Sequence, residues 1–225
     1  MVTEPTRRMF ASLALLTFLT GMVDAASVLG LGHIFTANMT GNVVFLGFRL
    51  AGQGSFSVLS SVIALGAFLA GATFGGAVAR RPGRFRLLLG VEAALLLSAA
   101  LVAIGGSHSD ASQDPIVALL AGAMGVQNSA VRRLAVLDMT TTVLTLTLTG
   151  LAADARLAGG DAPRVGRRVA SVLLMFSGAF CGSWLLSRDL AWPLAGAFVV
   201  VTLAWICADD AIEQASPTRH EVVSR

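Results

Sequence analysis

The chain has 225 residues, of which 55% are hydrophobic and only 13% are charged, and its mean hydropathy is +0.77. A soluble domain of this size needs far more polar surface, so the composition predicts one integral membrane domain over residues 1–225. The net charge of +3 comes from arginine without lysine, and the arginines stand at the ends of apolar segments. That placement follows the positive-inside pattern and gives no reason to expect a nucleic-acid partner.

Eight apolar segments follow one another between polar tails at 1–8 and 209–225. In the first half, repeat one (9–106), they lie near 9–31, 38–51, 55–79 and 85–104. In the second half, repeat two (114–208), they lie near 115–131, 138–153, 169–186 and 190–208. Most of them approach the roughly 20 residues with which an α-helix crosses a bilayer. The second segment of each half is the shortest and follows a stretch that is not typical of a helix.

The two halves of the chain resemble each other in sequence. The block ANMTGNVV at 37–44 returns as LDMTTTVL at 137–144, and GMVDAA at 21–26 matches GVQNSA at 125–130. Further along, 66–68 matches 178–180, and 89–90 matches 195–196. Membrane proteins built from two related halves often place a binding or conduction site where the halves meet.

The arginines choose between two topologies. If all eight segments cross the membrane, nine of the 16 arginines face the cytoplasm and seven face outward, which is almost no bias. If each short second segment dips in and returns, six segments cross, and only Arg49 and Arg188 face outward. The positive-inside rule favours the second model, with both termini in the cytoplasm. Three crossings per half give the halves opposite orientations, so the repeat becomes an inverted one.

The predicted fold is therefore an all-α integral membrane protein. It has six transmembrane helices in two inverted three-helix repeats, each with one short re-entrant or broken helix. Eight spans remain the alternative. The spacings Gly71/Gly75 and Gly178/Gly182 predict close helix packing.

The short helices supply the first candidate site. Asn38 and Asp138 occupy equivalent positions and are both residue types that cap helix N-termini. Thr40 and Thr140 add hydroxyls on the first turns. Facing helix starts near the membrane centre would bind a polar or anionic group of a substrate. The alternative interpretation is that Asn38 and Asp138 only cap their helices.

Polar residues inside the crossing segments supply the second candidate set. Asp24 lies within the first segment, its repeat counterpart is Asn128, and Glu92 lies within the fourth. Acidic residues at such depth are costly and commonly functional, so Asp24 and Glu92 are candidates for proton or ion coupling. The structural alternatives are a hydrogen bond from Asp24 to the loop at 36–42 and an ion pair from Glu92 to Arg84 or Arg86. Asn128 and its neighbour Gln127 would either contact substrate or join helices.

Several blocks carry a family resemblance. They are G-x-V-D-A at 21–25, F-T-A-N-M-T-G-N at 35–42, M-G-x-Q-N at 124–128 with V-R-R at 131–133, and D-M-T-T-T at 138–142. The chain thereby resembles, over nearly its whole length, the YoaK-like family of bacterial multi-pass membrane proteins of unknown function. The resemblance implies a protein of the bacterial cell (inner) membrane with six spans, and it supplies no substrate.

The leading functional interpretation is a small-solute transporter or channel with a central site between the two half-helix starts. The alternative is a non-transporting sensor, scaffold or accessory subunit. The sequence has no nucleophile–base set, metal pattern or nucleotide fingerprint, so we expect neither an enzyme nor a cofactor. The expected partners are the lipid bilayer and a small polar or anionic solute, and a homo-oligomer is compatible with the sequence.

Overall fold

The computed structural model describes residues 7–106, 110–134, 144–153 and 165–208, with 110–112 as backbone alone. Within these ranges the chain is helical and contains no β-strand. The helices are α1 (Arg7–Gly30), α2 (Met39–Leu50), α3 (Val58–Val78), α4 (Phe85–Gly105), α5 (Asp110–Leu134), α6 (Leu144–Ala153), α7 (Val165–Leu186) and α8 (Ala191–Cys207). The all-helical class is confirmed, and the two short helices lie in the two short segments of the sequence.

Four of the described helices, α1, α3, α4 and α7, are long and apolar enough to cross a membrane. α6 and α8 are apolar but shorter. α5 has the length, but its charged ends and the pair Gln127 and Asn128 lower its hydropathy. Large apolar side chains cover the outer surface, and Phe176 is 69% exposed there. Such a surface suits lipid, and the protein is a multi-pass membrane protein.

The packing of the helices reflects the sequence repeat. α1 packs against α7 and α8, and α5 packs against α3 and α4. α4 meets α8, α1 meets α5, α2 lies on α3, and α6 lies on α7. If α1, α2, α3 and α4 are exchanged in order with α5, α6, α7 and α8, each of these pairs becomes another pair of the same set. The additional contact between α7 and α8 is the exception among them. The largest interfaces therefore join one half of the chain to the other.

Contacts at the helix ends fix the directions of the helices. α3 and α5 run parallel, because Ser60 Oγ donates to Asp114 Oδ1 (2.6 Å) near their starts and Arg133 Nε donates to the Ala79 carbonyl (2.8 Å) near their ends. α1 and α7 also run parallel, since the Arg167 guanidinium lies 4.9 Å from the Phe10 ring centre at their starts.

One cavity shows which helix ends lie together. It is lined by the ends of α1, α4 and α7 and by the starts of α5 and α8. At the opposite end of the bundle, Arg86 near the start of α4 lies 4.3 Å from the ring centre of Trp205 near the end of α8. α1, α4 and α7 therefore run in one direction, and α3, α5 and α8 run in the other.

The two glycine pairs lie at close contacts between helices. A Cβ on Gly71 would overlap the Gly122 carbonyl across the α3–α5 interface, and a Cβ on Gly178 would overlap the Phe18 carbonyl across the α7–α1 interface. The predicted close packing is confirmed. Gly66, which the sequence comparison matched with Gly178, faces open space, whereas Gly71 and Gly178 each face a neighbouring backbone.

Candidate functional site

The connection between α1 and α2 folds back into the bundle. Gly32 and His33 have positive φ angles of 80° and 64°, which reverse the chain just after α1 ends. The backbone amides of Thr36 and Ala37 then donate to Asp24 Oδ1 at 3.2 and 2.9 Å. Asp24 precedes the end of α1 by six residues, about 9 Å at 1.5 Å per residue. The loop therefore returns about 9 Å along α1 before α2 begins.

Asp24 is the residue that holds this loop. Its side chain is buried, and its second oxygen, Oδ2, accepts a hydrogen bond from Asn38 Nδ2. Nearby, Ser27 Oγ donates to the Asp24 carbonyl (3.1 Å), and Thr36 Oγ1 donates to Ser27 Oγ (3.3 Å). These are the bonds that the structural interpretation of Asp24 predicted. A role of Asp24 in proton or ion coupling stays a prediction.

Asn38 directly precedes α2 at the N-cap position, but its side chain makes no capping hydrogen bond. The expectation that it caps the helix was therefore wrong. Its amide nitrogen turns to Asp24, because a hydrogen bond to a carboxylate is stronger than one between neutral groups. The first backbone amides of α2 consequently receive no bond from the Asn38 side chain, although the Gly41 amide donates to the Asn38 carbonyl (3.1 Å).

Asn42 fixes the other side of the loop. It is fully buried, its Oδ1 accepts from the Phe35 amide (2.9 Å), and its Nδ2 donates to the Phe35 carbonyl (2.6 Å). The Phe35 ring lies over Gly41, where a Cβ would overlap it. Sequence reasoning missed Asn42 as a site residue. The signal was its position as the last residue of the block at 35–42.

The remaining candidates of the short helices do not join this cluster. Thr40 is exposed on the first turn of α2. Beyond it α2 presents a largely apolar exposed surface, with Phe48 49% and Leu50 82% exposed. Asp138 and Thr140 lie outside the described residues, so the structure describes one of the two helix starts that the sequence paired.

The polar pair of the second half joins helices. Gln127 Nε2 donates to Thr20 Oγ1 (2.9 Å), which ties α5 to α1 one turn before Asp24. Gln127 is fully buried, and its Oε1 has no hydrogen-bond partner in the described structure. Asn128 Nδ2 donates within its own helix to the Met124 carbonyl (2.8 Å). Gln127, which the sequence analysis considered together with Asn128, is the more deeply buried of the two.

Glu92 lies apart from the Asp24 cluster. It belongs to the buried stripe of α4 that includes Leu88, Leu89 and Leu96, and it is fully buried. Neither carboxylate oxygen has a hydrogen-bond partner within the described parts of the chain. The expected pairing with Arg84 or Arg86 is not formed, and the Arg86 guanidinium lies over Trp205 instead.

The features described above lie in a region of the chain that matches a known protein family. A family model described as "Protein of unknown function (DUF1275)" matches residues 12–207. The chain belongs to the DUF1275 family. The match begins in α1 and ends in α8, so it includes the Asp24 loop, Glu92 and Gln127.

A curated relative of this DUF1275 protein supports the same assignment. The chain is 32% identical, over 148 residues, to the UPF0700 transmembrane protein YoaK of Bacillus subtilis (strain 168). The aligned region covers 63% of this chain and 65% of that relative's length. The resemblance to the YoaK-like family is confirmed. No solved structure matches the chain.

Proposed function

We propose that the protein is a transporter or channel for a small polar or anionic solute. The observation that carries the proposal is the non-helical backbone between α1 and α2, which folds back along α1 and is held by the buried carboxylate of Asp24. In a bilayer, irregular backbone is tolerated where it is enclosed by protein or lines an aqueous cavity. Transporters use such interrupted helices to build substrate sites.

The site would lie at the start of α2. The side chain of Asn38 does not cap that helix, so the backbone amides of Met39 and Thr40 keep their capacity to bind a polar or anionic group, while the Gly41 amide donates to the Asn38 carbonyl. Thr40 is exposed at the same turn and adds a hydroxyl. We assign Asp138 and Thr140 the equivalent positions in the second half, and Asn128 the place that corresponds to Asp24.

The helix directions support six crossings and an inverted repeat. α1 ends, and α3 and α5 start, at the same end of the bundle. The segment that contains α2 therefore begins and ends on the same side of the membrane. The first half runs as α1, α3 and α4 in alternating directions, and the second half runs as α5, α7 and α8 in the opposite sense.

The described arginines support cytoplasmic termini in a bacterial cell membrane. Ten lie at the end where α1 begins, and two, Arg49 and Arg188, lie at the other end. Positively charged loops are retained in the cytoplasm.

The test is transport by the purified full chain in liposomes, measured over a panel of small anions, polar solutes and protons. Asn38→Ala removes the hydrogen bond to Asp24 that helps to position the loop before α2, and we expect it to lower uptake. The matched control is Thr73→Ala, because the exposed Thr73 hydroxyl bonds back to the Leu69 carbonyl (2.7 Å) away from the loop. If the parent protein moves nothing across the panel, the proposal is wrong.

A second candidate function is that of a non-transporting sensor, scaffold or accessory subunit. We propose no enzymatic activity for either candidate function. It is favoured by the internal use of Asp24, both of whose carboxylate oxygens accept hydrogen bonds from the chain itself. On that hypothesis the loop is a rigid structural element. We would then expect one stable membrane partner to co-purify with the protein, and no flux in liposomes.

A further inference from the structure

Glu92 combines three properties that a structural side chain in this bundle should not have. It is fully buried, it lies in the middle of the buried stripe of α4, and neither carboxylate oxygen has a hydrogen-bond partner in the described structure. Polar groups enclosed by protein are normally paired, and an ionised carboxylate without a partner is the most costly case. Such a group in a membrane segment indicates a function.

Charged groups on the neighbouring helices do not compensate Glu92. α4 packs against α5 and α8. We call the end of the bundle at which α1 begins the inner end, and the opposite end the outer end. The described charged side chains of α5 are Asp114, bound to Ser60 at the outer end, and Arg132 and Arg133 at the inner end. α8 carries the titratable Cys207 at its inner end, and Arg86 of α4 itself lies over Trp205. None of them forms a hydrogen bond or ion pair with Glu92.

A proton fits this environment better than a metal ion. A bound cation needs several oxygen ligands around it, and within the described residues no group of three or more His, Cys, Asp or Glu side chains could hold a metal. A proton needs one carboxylate oxygen. Another buried oxygen without a hydrogen-bond partner in the described structure, Gln127 Oε1, lies on α5, the helix that packs on α4. A protonated Glu92 would bring a donor to this region, whereas an ionised one would add only acceptors.

Asp24, unlike Glu92, has hydrogen-bond donors for both of its carboxylate oxygens. Its two oxygens accept three hydrogen bonds, from the amides of Thr36 and Ala37 and from the side chain of Asn38. Taking up a proton there would weaken the bonds that hold the loop. The two acidic residues therefore have separate roles: Asp24 holds the loop at the solute site, and Glu92 is left to exchange a proton.

We propose that Glu92 is a proton-binding site in the inner half of the bundle, and that the proton it takes up and releases couples to solute movement. The first part stands on the geometry of Glu92, and the coupling rests on the proposed transport function. Glu92 follows Phe85, at the inner end of α4, by seven residues, about 10 Å along the helix. The step is a simple proton transfer, in which the carboxylate takes a proton from water on the cytoplasmic side and later returns one to water.

Infrared spectroscopy of the full chain in lipid nanodiscs tests proton binding without any substrate. We expect the C=O stretch of a protonated carboxyl at neutral pH, its shift on transfer to D₂O, and its loss in Glu92→Gln. The band should stay in Asp114→Asn, a matched carboxyl-to-amide change at the outer end of α5. Glu92→Asp keeps a carboxyl and should keep a displaced band, which covers the case in which Glu92→Gln does not fold.

Three results would overturn the proposal. They are a parent spectrum without a protonated carboxyl that depends on Glu92, a band that does not respond to D₂O, and a band removed by sodium ions at constant pH. Coupling is measured separately in liposomes, where Glu92→Gln should abolish the stimulation of uptake by a pH gradient. Uptake that keeps its pH dependence in this variant refutes coupling. A parent protein that transports nothing refutes the transport function and the coupling, while the infrared result still decides the proton site.

Discussion

The hydrogen bonds between Asp24 and the loop predict the outcome of an exchange of two side chains. Asp24→Asn leaves one oxygen to accept from the amides of Thr36 and Ala37, but it presents an amide nitrogen to Asn38, whose own nitrogen is also a donor. Asn38→Asp places two carboxylates against each other. The double variant Asp24→Asn/Asn38→Asp restores a donor on one side and an acceptor on the other.

The hydrogen bond from Asn38 to Asp24 sets the magnitude of the expected destabilisation. Asp24→Asn removes one hydrogen bond to a charged group, which contributes about 1.5–3 kcal/mol. A loss of about 2 kcal/mol in the free energy of unfolding lowers the midpoint temperature of a chain of this size by about 4–8 °C. The double variant should recover more than half of that loss. The coupling free energy between the two sites adds this recovery to the cost of Asn38→Asp, so its magnitude should be at least about 1 kcal/mol.

Thermal unfolding of the purified protein, followed by tryptophan fluorescence, measures all four members of the cycle. The control is Thr40→Ala, an exposed side chain of the same segment, which should change stability by less than about 0.5 kcal/mol. If the double variant is as unstable as the sum of the two single variants, the carboxylate–amide contact does not hold the loop, and the reasoning about Asp24 fails.

Two further predictions concern packing and topology. Gly71→Ala and Gly178→Ala should each destabilise the protein by about 1–3 kcal/mol through overlap with a neighbouring backbone, whereas Gly76→Ala, which faces open space, should be neutral or slightly stabilising. Equal midpoints for Gly71→Ala and Gly76→Ala in thermal unfolding would contradict the close packing. Single cysteines at Gln53 and Pro82, on a background without native cysteines, should react from outside and from inside the cell respectively. The reverse result, with Gln53 reacting from inside and Pro82 from outside, is the one that eight crossings give and would refute six crossings with cytoplasmic termini.

The sequence predicted the helical class and the positions of the short helices because both depend on local composition. Apolar runs of sufficient length become buried or lipid-facing helices wherever they stand, and a run too short to cross is recognised by its length alone. The glycine spacing on α3 and α7 was equally readable, since the absence of a side chain is what allows two backbones to approach.

The details of the site were less accessible, because each polar side chain had several partners within reach. Asn38 could cap α2 or bind Asp24, and the distant carboxylate was the stronger acceptor. Asn42 bonds to Phe35, a choice that depends on how the loop folds. Gln127 reaches a threonine 107 positions away in the chain. Such pairings arise from tertiary packing, which local sequence patterns do not encode.

The pairing of α1 with α7 and α8 has a consequence for biosynthesis. α1 leaves the ribosome well before α7, which begins about 135 residues after α1 ends. Until then the backbone beside Gly21, which α7 later covers, has no protein partner, and α3 is in the same position until α5 arrives. The early helices must therefore wait in the bilayer, or beside the insertion machinery, while most of the chain is made. A chain truncated before α7 would leave the surface of α1 that α7 covers, including the backbone at Gly21, facing lipid.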